Sequence, residues 1–201
     1  AAEIVCACYR RSFDLPVATA RAGNVLGGGD WAADRIMPDC ARAFAAGRPA
    51  AVRNPASVRP WQHVLEPLSG YLSLGARLLQ APADFGGAWN FGPGSDSVTV
   101  AEVAGFAAQA WGGGASWRAE ASSGPHEAAA LRLDSSKALS GLGWRPAWDA
   151  RRAVTAAIEW YKAADNPGFD ARGLCEAQVA AYTGDAAAAR AAWAAPLPVR
   201  R

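Results

Sequence analysis

Apolar positions recur every three to four residues along much of this chain, and the stretches between them are short and β-branched or aromatic. Ile4, Val5 and Cys8 mark a helix over about residues 1–13, which ends at Arg10-Arg11 before Pro16. Ile36, Met37, Cys40, Ala43 and Phe44 share one stripe of a second helix, closed by Gly47. Leu68, Tyr71, Leu72, Leu78 and Leu79 mark a third, opened by Glu66-Pro67 with the proline at the first helical position and stopped by Pro82. Thr99-Val100-Ala101-Glu102 is a capping box ahead of Val103, Ala107, Ala110 and Trp111: the threonine oxygen and the glutamate carboxylate satisfy each other's first-turn N–H groups. A short helix closes at Leu142-Gly143-Trp144-Arg145-Pro146, and two more are expected over about 149–163 and 171–183.

Strands are expected at Pro16–Ala22, Ala50–Arg53, Trp89–Pro93, near Trp117 and at Leu131–Asp134, with Gln62-His63-Val64 leading into the third helix. Alternating strands and helices predict an α/β fold whose strands pair largely in parallel. Ala1-Ala2-Glu3-Ile4-Val5 starts directly in helical pattern with no capping residue ahead, and the only methionine is Met37, so the chain reads as beginning inside a helix. Residues 184–201, rich in alanine with two prolines and no assignable apolar face, read as a disordered tail after an ordered portion over 1–183.

Composition narrows the partners. The 201 residues carry 20 basic and 18 acidic side chains, net +2, with no basic run of the kind that grips nucleic acid. No apolar run approaches a membrane span, so neither nucleic acid nor membrane is expected as a partner. Four cysteines (Cys6, Cys8, Cys40, Cys175) form neither a disulfide framework nor metal-binding pairs, which points to a reducing cytoplasm and to no metal. Cys6 and Cys8 face different sides of one helix.

Gly27-Gly28-Gly29-Asp30-Trp31-Ala32 matches the dinucleotide-binding pattern with alanine in the third place. A pyrophosphate wants bare N–H groups, yet Asp30 and Asp34 bring negative charge, and the next strand ends at Arg53 where an acid is needed; a substrate loop or plain turn fits better. Arg35, Arg53 and Arg59 lie near Asn24, Asn90 and Trp61 at strand ends and a helix start, where open parallel sheets collect ligands. Guanidinium forks suit phosphate oxygens and asparagine suits a sugar or base edge, while an ordinary surface role in an arginine-rich chain stays open. His63 and His126 are the only histidines and lack metal spacing. Catalytic constellations are absent: there is no nucleophile elbow, and Tyr9, Tyr71, Tyr161 and Tyr182 precede Phe13, Gly75, Asp165 and Ala186 where a Tyr-x-x-x-Lys pair needs lysine.

The run Ala20-Arg21-Ala22-Gly23-Asn24-Val25-Leu26-Gly27-Gly28-Gly29-Asp30-Trp31 resembles the CDP-glucose 4,6-dehydratase family, as does Val52 through Tyr71 (VRNPASVRPWQHVLEPLSGY). Trp89-Asn90-Phe91-Gly92-Pro93, Pro125-His126-Glu127-Ala128, Leu133-Asp134-x-Ser136-Lys137 and Leu142-Gly143-Trp144-x-Pro146 follow in the same order, so the likeness spans about residues 1–183. The resemblance implies the C-terminal portion of an extended short-chain dehydrogenase: the last strands of a Rossmann-type sheet plus a small α/β substrate-binding lobe. It places the NAD loop, the Tyr-x-x-x-Lys pair and the dehydrating acid and base upstream of Ala1, leaving NAD as a family cofactor and this chain inactive alone. The reaction implied oxidises C4 of a CDP-linked glucosyl unit, removes water across C5 and C6, and returns the hydride to C6. A CDP-sugar is the implied substrate and a homodimer the implied full-length assembly. By the same resemblance Asn24 and Arg59 hold the substrate diphosphate region, Arg35 is the substrate-binding basic residue at the following helix start, and Asn90, Arg53 and His126 belong to the nucleotide-sugar site. Ala128-Ala129-Ala130 departs from an Arg or Tyr common in related enzymes. A non-catalytic nucleotide-sugar binding module, or a sister NAD-dependent epimerase or dehydratase for another nucleotide, are the competing expectations.

Overall fold

The computed structural model describes residues 1–94, 98–120 and 128–194. Its elements run α1 (Ala2–Phe13), β1 (Ala18–Ala22), β2 (Asn24–Leu26), α2 (Ile36–Ala45), β3 (Ala50–Arg53), β4 (Val58–Arg59), β5 (Trp61–His63), α3 (Leu65–Gln80), α4 (Pro82–Phe85), β6 (Gly87–Phe91), β7 (Val98–Thr99), α5 (Val100–Trp111), β8 (Trp117–Glu120), α6 (Ser136–Leu142), α7 (Ala150–Ala164) and α8 (Ala171–Ala188). Among the described residues β1 pairs with β6, β2 with β5 and β3 with β8, all in parallel, while β4 pairs antiparallel with β7. The α/β reading and its parallel pairing hold.

α2, α5 and α7 bury their apolar stripes, whereas α1 buries none of its residues and α3 leaves Leu68, Leu72 and Leu79 of its expected stripe exposed. Met37, Cys40 and Phe44 of α2 meet Val103 and Ala107 of α5 and Val154, Ala157, Ile158 and Tyr161 of α7 in one core. The α5 capping box forms as expected, with Thr99 Oγ1 accepting from Glu102 N–H at 3.2 Å and Glu102 accepting from Thr99 N–H at 2.8 Å. A second core gathers Leu74, Trp89, Phe91, Ala138 and Trp144 where α3 and α6 cover β6.

A buried polar hub ties these parts together. Glu66, wholly buried in the first turn of α3, accepts from the backbone N–H groups of Ala147 and Trp148, the latter at 2.7 Å, and from the Tyr182 hydroxyl at 2.7 Å. Burial pushes its carboxyl above the usual range, against the pull of the Trp148, Tyr182 and Ala147 donors. Trp144 Nε1 donates to Ser69 Oγ at 2.9 Å, completing the link. The buried His63 accepts at Nδ1 from Leu65 N–H, and burial, helped by the nearby Arg152 charge, lowers it to about 4.

Three expectations change. Leu131–Asp134 forms no strand: only Ala130 bridges to Val58, and Asp134 O instead accepts from Asn90 Nδ2 at 3.0 Å. Pro67 stands third in α3, where its missing N–H still falls among the donors without an intrahelical acceptor. The helix expected to stop at 183 runs to Ala188, burying Ala186, and a 3-10 turn at Ala192–Ala194 follows. Trp193 stacks on Tyr182 with ring centroids 5.3 Å apart, so residues 184–194 carry structure where a disordered tail was expected; 195–201 lie outside the described residues.

Candidate functional site: a cleft at the fork between two strand ladders

β1 and β2 are one extended run interrupted at Gly23, and the two halves have different partners, β6 and then β5. A Cβ at Gly23 would sit 2.5 Å from Pro60 O, so only glycine lets the chain pass this close. The passage lets Asn24 N–H donate to Pro60 O at 2.9 Å, setting Asn24 beside Arg59. Beyond it opens a cleft of about 620 Å³ lined by β2, the start of α2, the end of β3, Arg59, Trp61 and Tyr161.

Four of the six candidate residues share this cleft: Asn24, Arg35, Arg53 and Arg59. Arg35 stands at the N-cap of α2, whose first turn has no side-chain cap, so the positive end of a ten-residue helix faces the same space. Arg59 Nη1 donates to the carbonyls of Val58 and Ala128, both at 2.9 Å. Arg53 Nη2 donates to Asp34 Oδ1 at 2.7 Å. Asn90 is not among the lining residues; it sits on β6, its Oδ1 buried without a hydrogen-bond partner among the described residues. His126 lies outside the described residues.

Sequence spacing did not single out Tyr161 or Asn54 for the site. Tyr161 belongs to the apolar stripe of α7, yet its hydroxyl reaches the cleft and donates to Asp30 O at 2.6 Å. Burial, then the Asp30 charge, push that hydroxyl up to about 12, keeping it a donor. Asn54 also lines the cleft, at φ 48°. The Asn-Pro pair was the available signal, since asparagine tolerates left-handed backbone.

The glycine run is explained by packing. A Cβ at Gly28 would fall 2.1 Å from Trp160 Cγ, and one at Gly27 3.1 Å from Val64, so these glycines admit side chains of the fold. α2 begins only at Ile36. The run therefore does not fit the pyrophosphate of a dinucleotide.

Fold comparison gives the class. The chain matches the UDP-glucuronic acid 4-epimerase of Bacillus cereus, solved with UDP-glucuronic acid and NAD, at TM-score 0.67 and 18% identity, covering 80% of this chain and 49% of that one. It matches the NAD-bound dTDP-glucose 4,6-dehydratase of Streptomyces venezuelae at TM-score 0.67 and 23% identity, covering 86% and 51%. The architecture is thus part of a Rossmann-type extended short-chain dehydrogenase fold. In sequence the chain is 45% identical over 172 residues to the CDP-glucose 4,6-dehydratase of Salmonella typhimurium, across 81% of this chain and 48% of that protein. It is a partial-length relative of that dehydratase, spanning about half the length of the proteins it matches. No protein-family model matches the chain. Among the described residues no helix is long and apolar enough to cross a membrane.

Proposed function

We propose that this chain forms the nucleotide-sugar-binding part of a CDP-glucose 4,6-dehydratase, with the cleft beside β2 taking the CDP-sugar. The observation that carries the reading is the gathering of Asn24, Arg35 and Arg59 around one opening, at the positive end of α2. A diphosphate presents two charged groups whose oxygens accept guanidinium N–H bonds in pairs, and an uncapped helix start adds further donors. Holding this unreactive part of the substrate supplies binding energy that positions the sugar for chemistry. The described residues of this chain are assigned binding and orientation; Asn90 and His126 are proposed as further nucleotide-sugar contacts only through the family likeness.

Calorimetric titration with CDP-glucose tests this. Arg59→Gln removes charge-assisted hydrogen bonds and is expected to weaken binding roughly tenfold or more. Because Arg59 also holds the Val58 and Ala128 carbonyls, Arg35→Gln serves as a second variant with the same expected direction. Unaltered affinity in both, with the melting temperature preserved, overturns the assignment.

A further inference from the structure

Arg59 and Arg53 line the same cleft but are held differently. Arg59 rests on main chain, its Nη1 donating to the Val58 and Ala128 carbonyls. Arg53 is held by a carboxylate: its Nη2 donates to Asp34 Oδ1 at 2.7 Å, and Asp34 is itself a lining residue. The other two aspartates of the lining are engaged elsewhere, Asp39 with Arg42 and Asp30 Oδ1 with the Ala32 N–H at 3.0 Å. Asp34 has Arg53 as its only side-chain partner among the described residues. The site thus carries, on one of its own cations, an anion that a phosphate group has to displace.

Magnitude decides whether that contact is fixed or exchangeable. Asp34 is 76% exposed and Arg53 53%, and an ion pair so open to water is worth at most about fivefold in an equilibrium. A diphosphate sets two charged groups and paired acceptor oxygens against a single carboxylate, so the guanidinium fork gains by changing partner. The backbone permits the exchange locally. Upstream the loop is pinned, with Asp30 O accepting from the Tyr161 hydroxyl at 2.6 Å and Trp31 O from Arg42 Nη1 at 3.1 Å, and downstream α2 begins at Ile36. Letting go of Arg53 therefore unravels neither anchor. Resting on the function proposed above, we infer that Asp34 is a built-in competitor at the nucleotide-sugar cleft. Its carboxylate neutralises Arg53 and yields it to the entering diphosphate, after which Arg53 holds the ligand and Asp34 turns to solvent. The pair so sets a threshold for entry: a singly charged anion gains no more from Arg53 than Asp34 already gives it, whereas a diphosphate does.

Calorimetric titration with CDP-glucose and the crystal structure of that complex test the exchange. Asp34→Asn removes the competing charge and keeps a residue that accepts the φ of 62° found at this position. It is expected to bind CDP-glucose about two- to fivefold tighter than the unaltered protein, with an unchanged melting temperature. In the complex of the unaltered protein, Arg53 Nη2 is expected on a phosphate oxygen and out of hydrogen-bond reach of Asp34. Arg53→Gln strands the Asp34 charge in the cleft and is expected to weaken binding about fivefold or more. Unaltered or weaker binding by Asp34→Asn overturns the inference, and so does unaltered binding by Arg53→Gln. Tighter binding by Asp34→Asn with the Asp34–Arg53 contact intact in the complex overturns it as well, since only the general charge of the cleft is then at work. Each of these outcomes leaves the diphosphate assignment of Asn24, Arg35 and Arg59 standing. If the unaltered protein fails to bind CDP-glucose at all, the proposed function falls, and this inference with it.

Discussion

In the lobe of α2, α5 and α7, Met37, Phe44, Val103, Val154 and Ile158 are all buried against one another. α1 buries no residue, and α3 leaves Leu72 77% and Leu79 89% exposed. Both regions carry the same kind of amphipathic stripe, so the sequence pattern alone does not separate them. The difference lies in whether the chain itself supplies a facing surface. The helices of the lobe cover one another, and the cleft draws walls from them, at the start of α2, Val100 of α5 and Tyr161 of α7, together with the end of β3, β2, Arg59 and Trp61. No residue of α1 or α3 lines the cleft, so their bare faces lie apart from the site.

The contrast is most sharply tested at Glu66, which binds α3 to the turn before α7 and to α8. Glu66→Ala takes the acceptor from the Ala147 and Trp148 N–H groups, the latter buried, and leaves the Tyr182 hydroxyl with Ser69 Oγ alone, and should cost about 3 kcal/mol in urea unfolding. An unmoved midpoint would show that the two regions stand independently. Next comes acid. His63 is lowered to about 4 from its ordinary 6.5, so below 6.5 the unfolded chain takes up a proton that the folded chain refuses. Stability present above pH 6.5 is lost as pH falls toward 4, by up to roughly 3 kcal/mol. Melting curves across that window should show the slope, and His63→Asn should flatten it; an equal slope in the variant assigns the loss elsewhere.

Gly28→Ala ranks third. Its Cβ would collide with Trp160 at 2.1 Å, and relieving that overlap should cost about 1 to 3 kcal/mol and shift the indole emission. Smallest is Leu72→Gln on α3: a change within about 0.5 kcal/mol is expected, together with weaker binding of a hydrophobic dye. A large loss there would mean that α3 already buries this face, and the comparison between the two regions would collapse.

Much of the fold was legible because its signals are local. The Thr99–Glu102 box and the α2 stripe from Met37 to Phe44 depend on neighbours within a turn or two, and both appear as read. The candidate site was legible as residue types at strand ends, but its grouping was not. Asn24 and Arg59 meet only through the β2–β5 ladder, a long-range pairing that spacing does not encode. Tyr161 hid among core positions because its ring is packed while its hydroxyl reaches out. Leu131–Asp134 misled for the converse reason: its local pattern suits a strand, but Asp134 O is engaged by Asn90 and Gly92 N–H by Ser135 Oγ, which fixes the segment as irregular chain. The glycine run already read better as a substrate loop or turn than as a dinucleotide loop, but the reason for Gly28, its packing against the distant Trp160, is not in the local sequence.

The interruption at Gly23 separates where the hollow lies from what lines it. The hollow is made where a single strand parts company with one neighbour and takes up another, a matter of main-chain course secured by a residue with no side chain to exchange. Apart from Asn24 on β2 itself, the furnishing of that hollow comes from residues on or beside other elements, α2, β3 and β4. A lineage is therefore free to swap guests by refitting the walls, while the room itself stays where the strands diverge.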